Sequence, residues 1–293
     1  MRIVSLLPSA TEILFGIGAG EEVVGVTHEC DFPPEVLKLP KLTAAATPGG
    51  ATSADIDRHI RAAVHAGSSL YHLDSALLAQ LEPDLIVTQE LCAVCAVSYE
   101  IVASATKRLR FDTRVISLEP VSLQHVFTNI SRLGEITGHS TQARDLVARL
   151  EARVKALRAR TAGAAKRPRT VVLEWTDPPM SAGHWIPELV ELAGGIPVLA
   201  HPGAYSRRLE WTAIAQAEPE AVIVAPCGFD LPRTRRAIEE LDAIEPWRSL
   251  TARRARRVLA LDGNAYLSRP GPRLVDAAEI VERWYTDGAE YAG

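Results

Sequence analysis

Three cysteines and one histidine of this 293-residue chain have residue types and spacings that could bind a metal ion. One residue separates His28 from Cys30, and two residues separate Cys92 from Cys95. Thiolate sulfur and imidazole nitrogen are ligands that zinc and other borderline metals prefer. A metal site of these four residues is one hypothesis. The alternatives are a loop-stabilising pair, free thiols that line a ligand pocket, or a disulfide formed under oxidising conditions.

The candidate ligand-binding residues follow predicted strands, because ligands of open parallel α/β sheets bind beyond the carboxyl ends of the strands. In the first half of the chain they are Pro8, Ser9, His28, Glu29, Cys30, Glu90 and Cys92. In the second half they are Trp175, Asn264, Tyr266 and Arg269. Trp175 could offer a flat face to a planar ligand, whereas Trp185, a further candidate, could equally pack in the core.

Sequence signatures of nucleophilic and phosphate chemistry are absent. The chain has no Gly-x-Ser-x-Gly elbow, no P-loop, no His-Glu-x-x-His motif and no distinctive paired-carboxylate spacing. We expect a non-enzymatic binding protein without an obligatory cofactor. The alternative, from a different class, is a metal- or thiol-dependent enzyme that uses His28 and the cysteines.

The elements that would position these residues alternate between strands and helices. Residues 2–7 form a short aliphatic run that predicts a strand, and a helix is predicted over residues 10–17. Ser9 and Glu12 have the spacing of a capping box at the start of that helix. A second strand is predicted at residues 22–27, and residues 169–174 restart the pattern with another strand.

An internal repeat is the most informative feature of the chain. Residues 73–87 align without gaps to residues 209–223. In each copy an acidic residue, Asp74 or Glu210, precedes a helix that ends at a Glu-Pro pair, and an apolar strand follows. Any α/β protein repeats helix, proline and strand, but the shared acidic and Glu-Pro positions favour two duplicated lobes.

A helical segment separates the two copies. Residues 123–136 predict one amphipathic helix, and residues 141–160 predict a second, about 30 Å long at 1.5 Å per residue. The predicted fold class is therefore α/β, with two Rossmann-like lobes that contain parallel sheets. The lobes are expected at residues 1–121 and 168–293, joined by a single long α-helix within the linker 122–167, with the ligand cleft between the lobes.

Charge and hydropathy exclude several classes of protein. The 32 basic and 36 acidic residues give a net charge of -4, so the basic surface of a dedicated nucleic-acid binder is missing. No apolar run reaches the roughly 18 residues of a membrane-spanning helix. The first residues also lack the basic and apolar regions of a secretory signal, so the chain as written is expected to stay in the cytoplasm.

Four motifs resemble those of a known family. They are Pro8 to Glu12 after a strand, Asp31-Phe32-Pro33-Pro34, the Glu82-Pro83 helix exit, and Ser268-Arg269-Pro270-Gly271-Pro272-Arg273. Together they resemble the cobalamin-binding, helical-backbone class of periplasmic substrate-binding proteins, and the similarity covers nearly the whole chain. The resemblance implies two Rossmann-like lobes, a cobalamin, haem or ferric-siderophore ligand, and delivery of that ligand to an ABC importer by a monomeric, periplasmic or otherwise extracytoplasmic protein.

The resemblance also implies roles for individual residues. Cobalamin or a related corrinoid is the ligand that the motifs favour, and the residues expected to face it are Pro8, Glu29, Cys30, Trp175, Tyr266 and Arg269. Asp74 and Glu210 resemble the acidic pair that docks on arginines of the importer. His28, Cys30 and the loop at residues 91–98 depart from the pattern and could supply an axial cobalt ligand. A cytosolic corrinoid-handling protein is the alternative to transport.

Overall fold

The computed structural model describes residues 1–45, 51–65, 71–89 and 112–288. The chain divides into two compact units. Unit 1 consists of Met1–Ala51, Asp55–Glu119 and His125–Ala148. Unit 2 consists of Thr52–Ala54, Pro120–Gln124 and Arg149–Gly293. Residues of the predicted linker, 122–167, are thus shared between the units.

Unit 1 is built on a four-stranded parallel sheet with the strand order β2-β1-β5-β6. Its strands are β1 (Ile3–Ser5), β2 (Val23–Val26), β5 (Leu85–Thr88) and β6 (Arg114–Ser117). A separate antiparallel pair contains β3 (Thr43–Ala45) and β4 (Tyr71–Leu73). The helices that accompany these strands are α1 (Pro8–Gly16), α2 (Ser53–His65), α3 (Ser75–Leu81) and α4 (Leu123–Thr137), with 3-10 turns at Gly20–Glu22 and Pro34–Lys38.

The inner strands β1 and β5 are mainly aliphatic because they are buried on both faces. Every residue of β1 and β5 is buried. Val4 and Ile86 pack with Leu42, which directly precedes β3, and with Leu78 of α3. This core holds the carboxyl ends of β1 and β2 side by side.

Unit 2 contains a larger mixed sheet with the strand order β10-β8-β7-β11-β12, and β9 also pairs with β7. The strands are β7 (Arg169–Thr176), β8 (Pro179–Ser181), β9 (Ile196–Pro197), β10 (Arg207–Arg208), β11 (Ala221–Val224) and β12 (Val258–Ala260). Strands β9, β7, β11 and β12 are parallel, whereas β8 and β10 form an antiparallel edge. The predicted α/β class with parallel sheets is confirmed.

The helices of unit 2 cover this sheet. They are α6 (Ile186–Leu192), α7 (Trp211–Gln216), α8 (Leu231–Leu241), α9 (Glu245–Ser249), α10 (Thr251–Arg254) and α11 (Leu274–Asp287), with a π-helical turn at Gly263–Leu267. Trp247 is fully buried and packs with Val171, Val222 and Ile214 in the core. Its indole N–H donates to Asp242 at 2.9 Å, so the ring is buried without leaving a polar atom unpaired.

The repeated segments have the same local structure. Asp74 precedes α3 and Glu210 precedes α7, as the repeat predicts. Glu82 and Glu218, at the helix exits, have φ angles of 43° and 44°, in the left-handed region. Of the two acidic residues that precede these helices, Asp74 accepts a capping hydrogen bond, from the N–H of Leu77 at 2.9 Å, and Glu210 does not.

The predicted long helix is α5, which spans Ser140–Thr161 and has 22 residues. The division between the compact units falls inside it, after Ala148. In unit 2, Arg153 of α5 forms ion pairs with Asp276 and Glu279 of α11 at 2.5 and 2.8 Å. These pairs fix the second half of α5 against α11.

The predicted capping box at Ser9 is wrong. Helix α1 begins at Pro8, and its N-cap residue is Leu7, which makes no side-chain capping bond. Proline is favoured at the first helical position because its fixed φ suits the helix and its missing N–H would be unpaired there anyway. Ser9 therefore lies inside the first turn, where only 1% of it is exposed.

None of the helices in the described part of the chain combines the length and the apolar composition needed to cross a bilayer.

Candidate functional site

In unit 1, polar residues gather where β2 ends. His28 follows β2 directly after Thr27, and both contact the hydroxyl of Thr43 on β3. Thr43 Oγ1 lies 2.7 Å from His28 Nδ1 and 2.7 Å from Thr27 Oγ1, and it accepts the backbone N–H of His28 at 3.0 Å. We call these three residues the Thr43 cluster. Thr43 thus contacts both the half-buried imidazole ring and the backbone N–H of His28.

The electrostatics of the cluster favour a neutral imidazole. Burial lowers the pKa of His28, and the nearby charge of Lys41 lowers it further. The ammonium group of Lys41 is fixed by the carbonyl oxygens of Cys30 and Val36 at 2.8 and 3.2 Å. A neutral imidazole has one nitrogen that can accept a proton or coordinate a metal.

Cys30 lies deeper than His28, and only 1% of it is exposed. Its sulfur is 3.1 Å from Thr11 Oγ1, and that hydroxyl donates to Ser5 Oγ at 2.8 Å. The thiol is therefore part of a buried hydrogen-bonded chain at the ends of β1 and β2. The half-buried Glu29 lies between His28 and Cys30.

The four-residue metal site stays a prediction. Among the described residues, no group of three or more His, Cys, Asp or Glu side chains is placed to hold a metal ion. Cys92 and Cys95 lie outside the described residues, as does the candidate ligand-binding residue Glu90.

The first turn of α1 supplies the other two candidates of unit 1. Pro8 and Ser9 are both buried at the end of the loop that follows β1. Within the described residues, the hydroxyl of Ser9 has no hydrogen-bond partner. A buried hydroxyl without a partner is uncommon in folded proteins.

In unit 2, an aromatic cluster lies at the carboxyl ends of β7 and β11. Trp175, near the end of β7, contacts Phe229 edge-on, with 5.3 Å between ring centroids. The guanidinium group of Arg233 lies 3.8 Å from the centre of the Phe229 ring, a cation–π contact. Burial lowers the pKa of Arg233, which nevertheless stays protonated because arginine titrates far above neutrality. The indole N–H of the half-buried Trp175 lies within hydrogen-bond distance of the carbonyl oxygens of Asp177 and Ser53, at 3.1 and 3.2 Å.

The turn after β12 joins this aromatic cluster. The backbone N–H of Asn264 donates to the carbonyl of Phe229 at 3.1 Å. The amide oxygen of Asn264 accepts from Arg269 Nη2 at 2.9 Å, and only 4% of Arg269 is exposed. Tyr266 is half-buried, with the guanidinium of Arg273 5.9 Å from its ring centre. The structure therefore brings Trp175, Asn264 and Arg269 together through Phe229.

Close packing at Gly263 makes this arrangement possible. A Cβ atom on Gly263 would lie 2.2 Å from the carbonyl oxygen of Pro226 and 2.8 Å from that of Ala225. The turn can approach the loop after β11 only because residue 263 has no side chain. The Asp262 carboxylate then fixes the turn by accepting the N–H of Ala265 at 2.6 Å.

Two findings in unit 2 refine the sequence-based candidates. Trp185 is only 6% exposed, and its indole N–H donates to the carbonyl of Leu267 at 2.9 Å, which is the packing role considered for it. Phe229 follows a predicted strand but, like Arg233, is not among the predicted ligand-binding residues. Arg233 is on a helix, and its position over the Phe229 ring is evident only from the fold.

The comparisons with known proteins cover almost the whole chain. Residues 3–265 match the family described as periplasmic binding protein. The chain belongs to this family. Its resemblance to the cobalamin-binding, helical-backbone class is thereby confirmed, and the family consists of binding proteins that act with a permease.

Three relatives show how far the similarity extends. A vitamin B12-binding protein from Vibrio cholerae is 25% identical over 293 residues, which cover 96% of this chain and 87% of that protein. An uncharacterized ABC transporter substrate-binding lipoprotein from Bacillus subtilis is 25% identical and covers 98% of this chain and 80% of its own length. The apo structure of a periplasmic heme-binding protein from Roseiflexus has a TM-score of 0.73 and 24% identity, with 98% of both chains covered.

Proposed function

We propose that this protein binds cobalamin or a related corrinoid and delivers it to an ABC importer. The structural observation that carries the proposal is the cluster at the ends of β7 and β11, where Trp175 packs edge-on against Phe229. Aromatic rings with nearby guanidinium and amide groups suit a large planar ligand that carries polar substituents. Asn264 and Arg269 are joined to the same cluster.

The similarity to a vitamin B12-binding protein supports a corrinoid as the ligand. Haem is the second candidate, because the periplasmic heme-binding protein from Roseiflexus has the same fold. Both molecules are flat metal-centred macrocycles, so an aromatic cluster alone does not separate them. One relative is a periplasmic protein and another is a lipoprotein, which supports an extracytoplasmic location for this protein.

Docking on the importer is the second part of the proposal. Asp74 and Glu210 occupy equivalent places in the repeat, each directly before a helix, and both are exposed. Two carboxylates at matched positions could each meet a basic residue of the permease. We assign the docking role to this pair.

Ligand titrations test the binding function. We expect the protein to bind aquacobalamin or cyanocobalamin at micromolar concentration or better, measured by calorimetry and absorbance, with hemin titrated in parallel. Trp175→Ala should weaken corrinoid binding by about tenfold, the scale of one lost aromatic contact. Tyr205→Ala is the matched control, because Tyr205 is an aromatic residue that is 71% exposed and lies outside the cluster.

Each outcome of the titrations bears on the proposal. Tight hemin binding without corrinoid binding would show that the ligand is haem rather than cobalamin. Failure of every one of these ligands to bind would overturn the proposed function.

A further inference from the structure

The residues at the starts of strands β7, β11 and β12 meet at one edge of the unit 2 sheet. These strands are neighbours and run parallel, so their amino ends lie about 5 Å apart from strand to strand. The N–H of Glu220 donates to the carbonyl of Arg169 at 2.8 Å. The N–H of Val222 donates to that of Arg257 at 2.9 Å. Side chains that are distant in sequence therefore share this edge.

Basic side chains are concentrated there. The chain as a whole has a net charge of -4. Residues 166–169, 218–220 and 254–257 nevertheless contain six basic residues and two acidic ones, Glu218 and Glu220. The basic residues, which we call the basic edge, are Lys166, Arg167, Arg169, Arg254, Arg256 and Arg257. All of them except the half-buried Arg257 are exposed.

The contacts of the basic edge leave most of its charge in place. Arg167 and Arg169 each donate from Nη2 to a backbone carbonyl oxygen, at 3.0 and 2.7 Å. A carbonyl oxygen orients a guanidinium group without neutralising it. Lys166 lies 3.5 Å from the carboxylate of Glu220, with 79% of the lysine side chain exposed. An ion pair as exposed as this one is screened by water and salt, so it is weak.

Arg256 occupies a backbone position that favours glycine. Its φ angle is 55°, in the left-handed region, two residues after the end of α10. Across it, the N–H of Arg257 donates to the carbonyl of Ala252 at 2.8 Å, which is the helix-ending arrangement that most often contains glycine. Backbone stability alone would favour glycine here. The chain therefore keeps an exposed positive charge at a position where it costs stability.

An exposed apolar residue lies beside the basic edge. Ile196 begins β9 and pairs with Arg169 at the start of β7, and 39% of it is exposed. Arginine suits phosphate groups, and an apolar side chain next to it suits the boundary between lipid headgroups and acyl chains. A bilayer presents phosphates continuously, so it can meet charges that are spread over several strand ends. An acidic protein would have to match them one by one.

We propose that the basic edge of unit 2 binds the surface of a membrane that contains anionic phospholipid. The aromatic cluster takes no part, because it lies at the carboxyl ends of β7 and β11, opposite the basic edge. Glu210 precedes α7 and Glu218 follows it, so the proposed docking residue lies at the other end of that helix. Membrane binding goes beyond the proposed function and is tested separately from it.

Vesicle binding tests the proposal. At low salt the whole chain should cosediment with vesicles of equal parts phosphatidylcholine and phosphatidylglycerol, and it should stay in solution with phosphatidylcholine alone. Raising the NaCl concentration to about 1 M should release it, because the Debye length is then only about 3 Å.

The double variant Arg254→Gln/Arg256→Gly removes two charges of the basic edge. Glycine suits the backbone at position 256, so the variant should fold, and urea denaturation verifies this. Each basic residue near an anionic surface strengthens binding about fivefold, so this variant should bind anionic vesicles about twentyfold more weakly. Arg254→Lys/Arg256→Lys keeps both charges and should retain most of the binding. Arg144→Gln/Arg149→Gln, at exposed positions of α5, removes the same charge elsewhere and should bind as the wild type does.

Three outcomes would overturn the proposal. The first is equal binding of the wild type to neutral and anionic vesicles. The second is an equal loss of affinity in the α5 control and in the edge variant. The third is an edge variant that keeps its vesicle binding but loses binding to a vitamin B12 importer reconstituted in phosphatidylcholine, which would assign the basic edge to an acidic protein surface. Corrinoid affinity is measured without vesicles, so none of these outcomes bears on the proposed ligand.

Discussion

The carboxylates of Asp84 and Glu220 make the same hydrogen bond in the two units. Asp84 Oδ2 accepts the backbone N–H of Arg2 at 2.7 Å, and Glu220 Oε2 accepts that of Arg169 at 3.1 Å. In each unit the N–H of the acidic residue donates to the carbonyl of the same arginine at 2.8 Å. The first strand of each sheet is thereby tied to the residue that precedes its neighbouring strand, and this shared detail supports a duplicated origin of the lobes.

We expect Asp84→Ala and Glu220→Ala each to lower the free energy of unfolding by about 1 kcal/mol, because each leaves a strand-end N–H without its acceptor. Asp84→Asn and Glu220→Gln keep an oxygen at the same place and should recover most of the loss. Urea denaturation measures the effect. Equal destabilisation by the alanine and amide variants would show that the hydrogen bond does not matter.

Gly263 should be essential for the site in unit 2. Gly263→Ala places a Cβ within 2.2 Å of the Pro226 carbonyl oxygen, so the turn that carries Asn264 must move. We expect ligand binding to weaken by tenfold or more, on the scale of about 1.4 kcal/mol, with calorimetry as the measurement. Gly163→Ala is the control, because a Cβ at Gly163 would have no atom within 4 Å. Unchanged ligand affinity in Gly263→Ala would show that this turn does not contribute to the ligand site.

Much of the fold could be predicted from the sequence. Strand β1 and helix α5 were each located to within about two residues, because aliphatic runs and helical spacing report burial directly. The start of α1 was misplaced by two residues. Ser9 has the sequence pattern of a helix cap, but the helix begins at Pro8 because proline is favoured at the first helical position.

The candidate site was harder to predict than the fold. Strand ends identified Trp175 and Asn264, because ligand loops follow strands in such sheets. Thr43 and Arg233 gave no such signal: one is on an antiparallel strand and the other on a helix. Their roles depend on contacts between segments distant in sequence, which neither periodicity nor local spacing encodes.

The proposed docking role of Asp74 and Glu210 can be tested without disturbing the fold. Asp74→Asn keeps an oxygen for the N–H of Leu77, since asparagine caps helices about as well as aspartate, and Glu210→Gln keeps the side-chain length. If the proposed function holds, we expect the double variant to bind ligand as the wild type does and to bind a reconstituted vitamin B12 importer about tenfold more weakly. The double variant Glu151→Gln/Glu239→Gln, at exposed positions of α5 and α8, is the charge-matched control. Full importer affinity in the double variant would exclude this pair from docking.

Protonation of His184 should lower the free energy of unfolding in mild acid. Its φ angle is 54°, its ring packs edge-on against Tyr205, and burial lowers its pKa from 6.5. As the pH falls below 6.5, the unfolded chain takes up a proton at this residue before the folded protein does. The stability that the neutral imidazole contributes is therefore complete above that pH and is lost as the pH falls through the lowered pKa.

The variant His184→Asn removes this titration and suits the backbone, because asparagine tolerates positive φ. Between about pH 7 and about pH 5, the free energy of unfolding should fall less steeply in the variant than in the wild type. Part of the slope should remain, because burial and Lys41 also lower the pKa of His28. Urea denaturation at a series of pH values measures both slopes, and identical slopes would show that protonation of His184 is not coupled to folding.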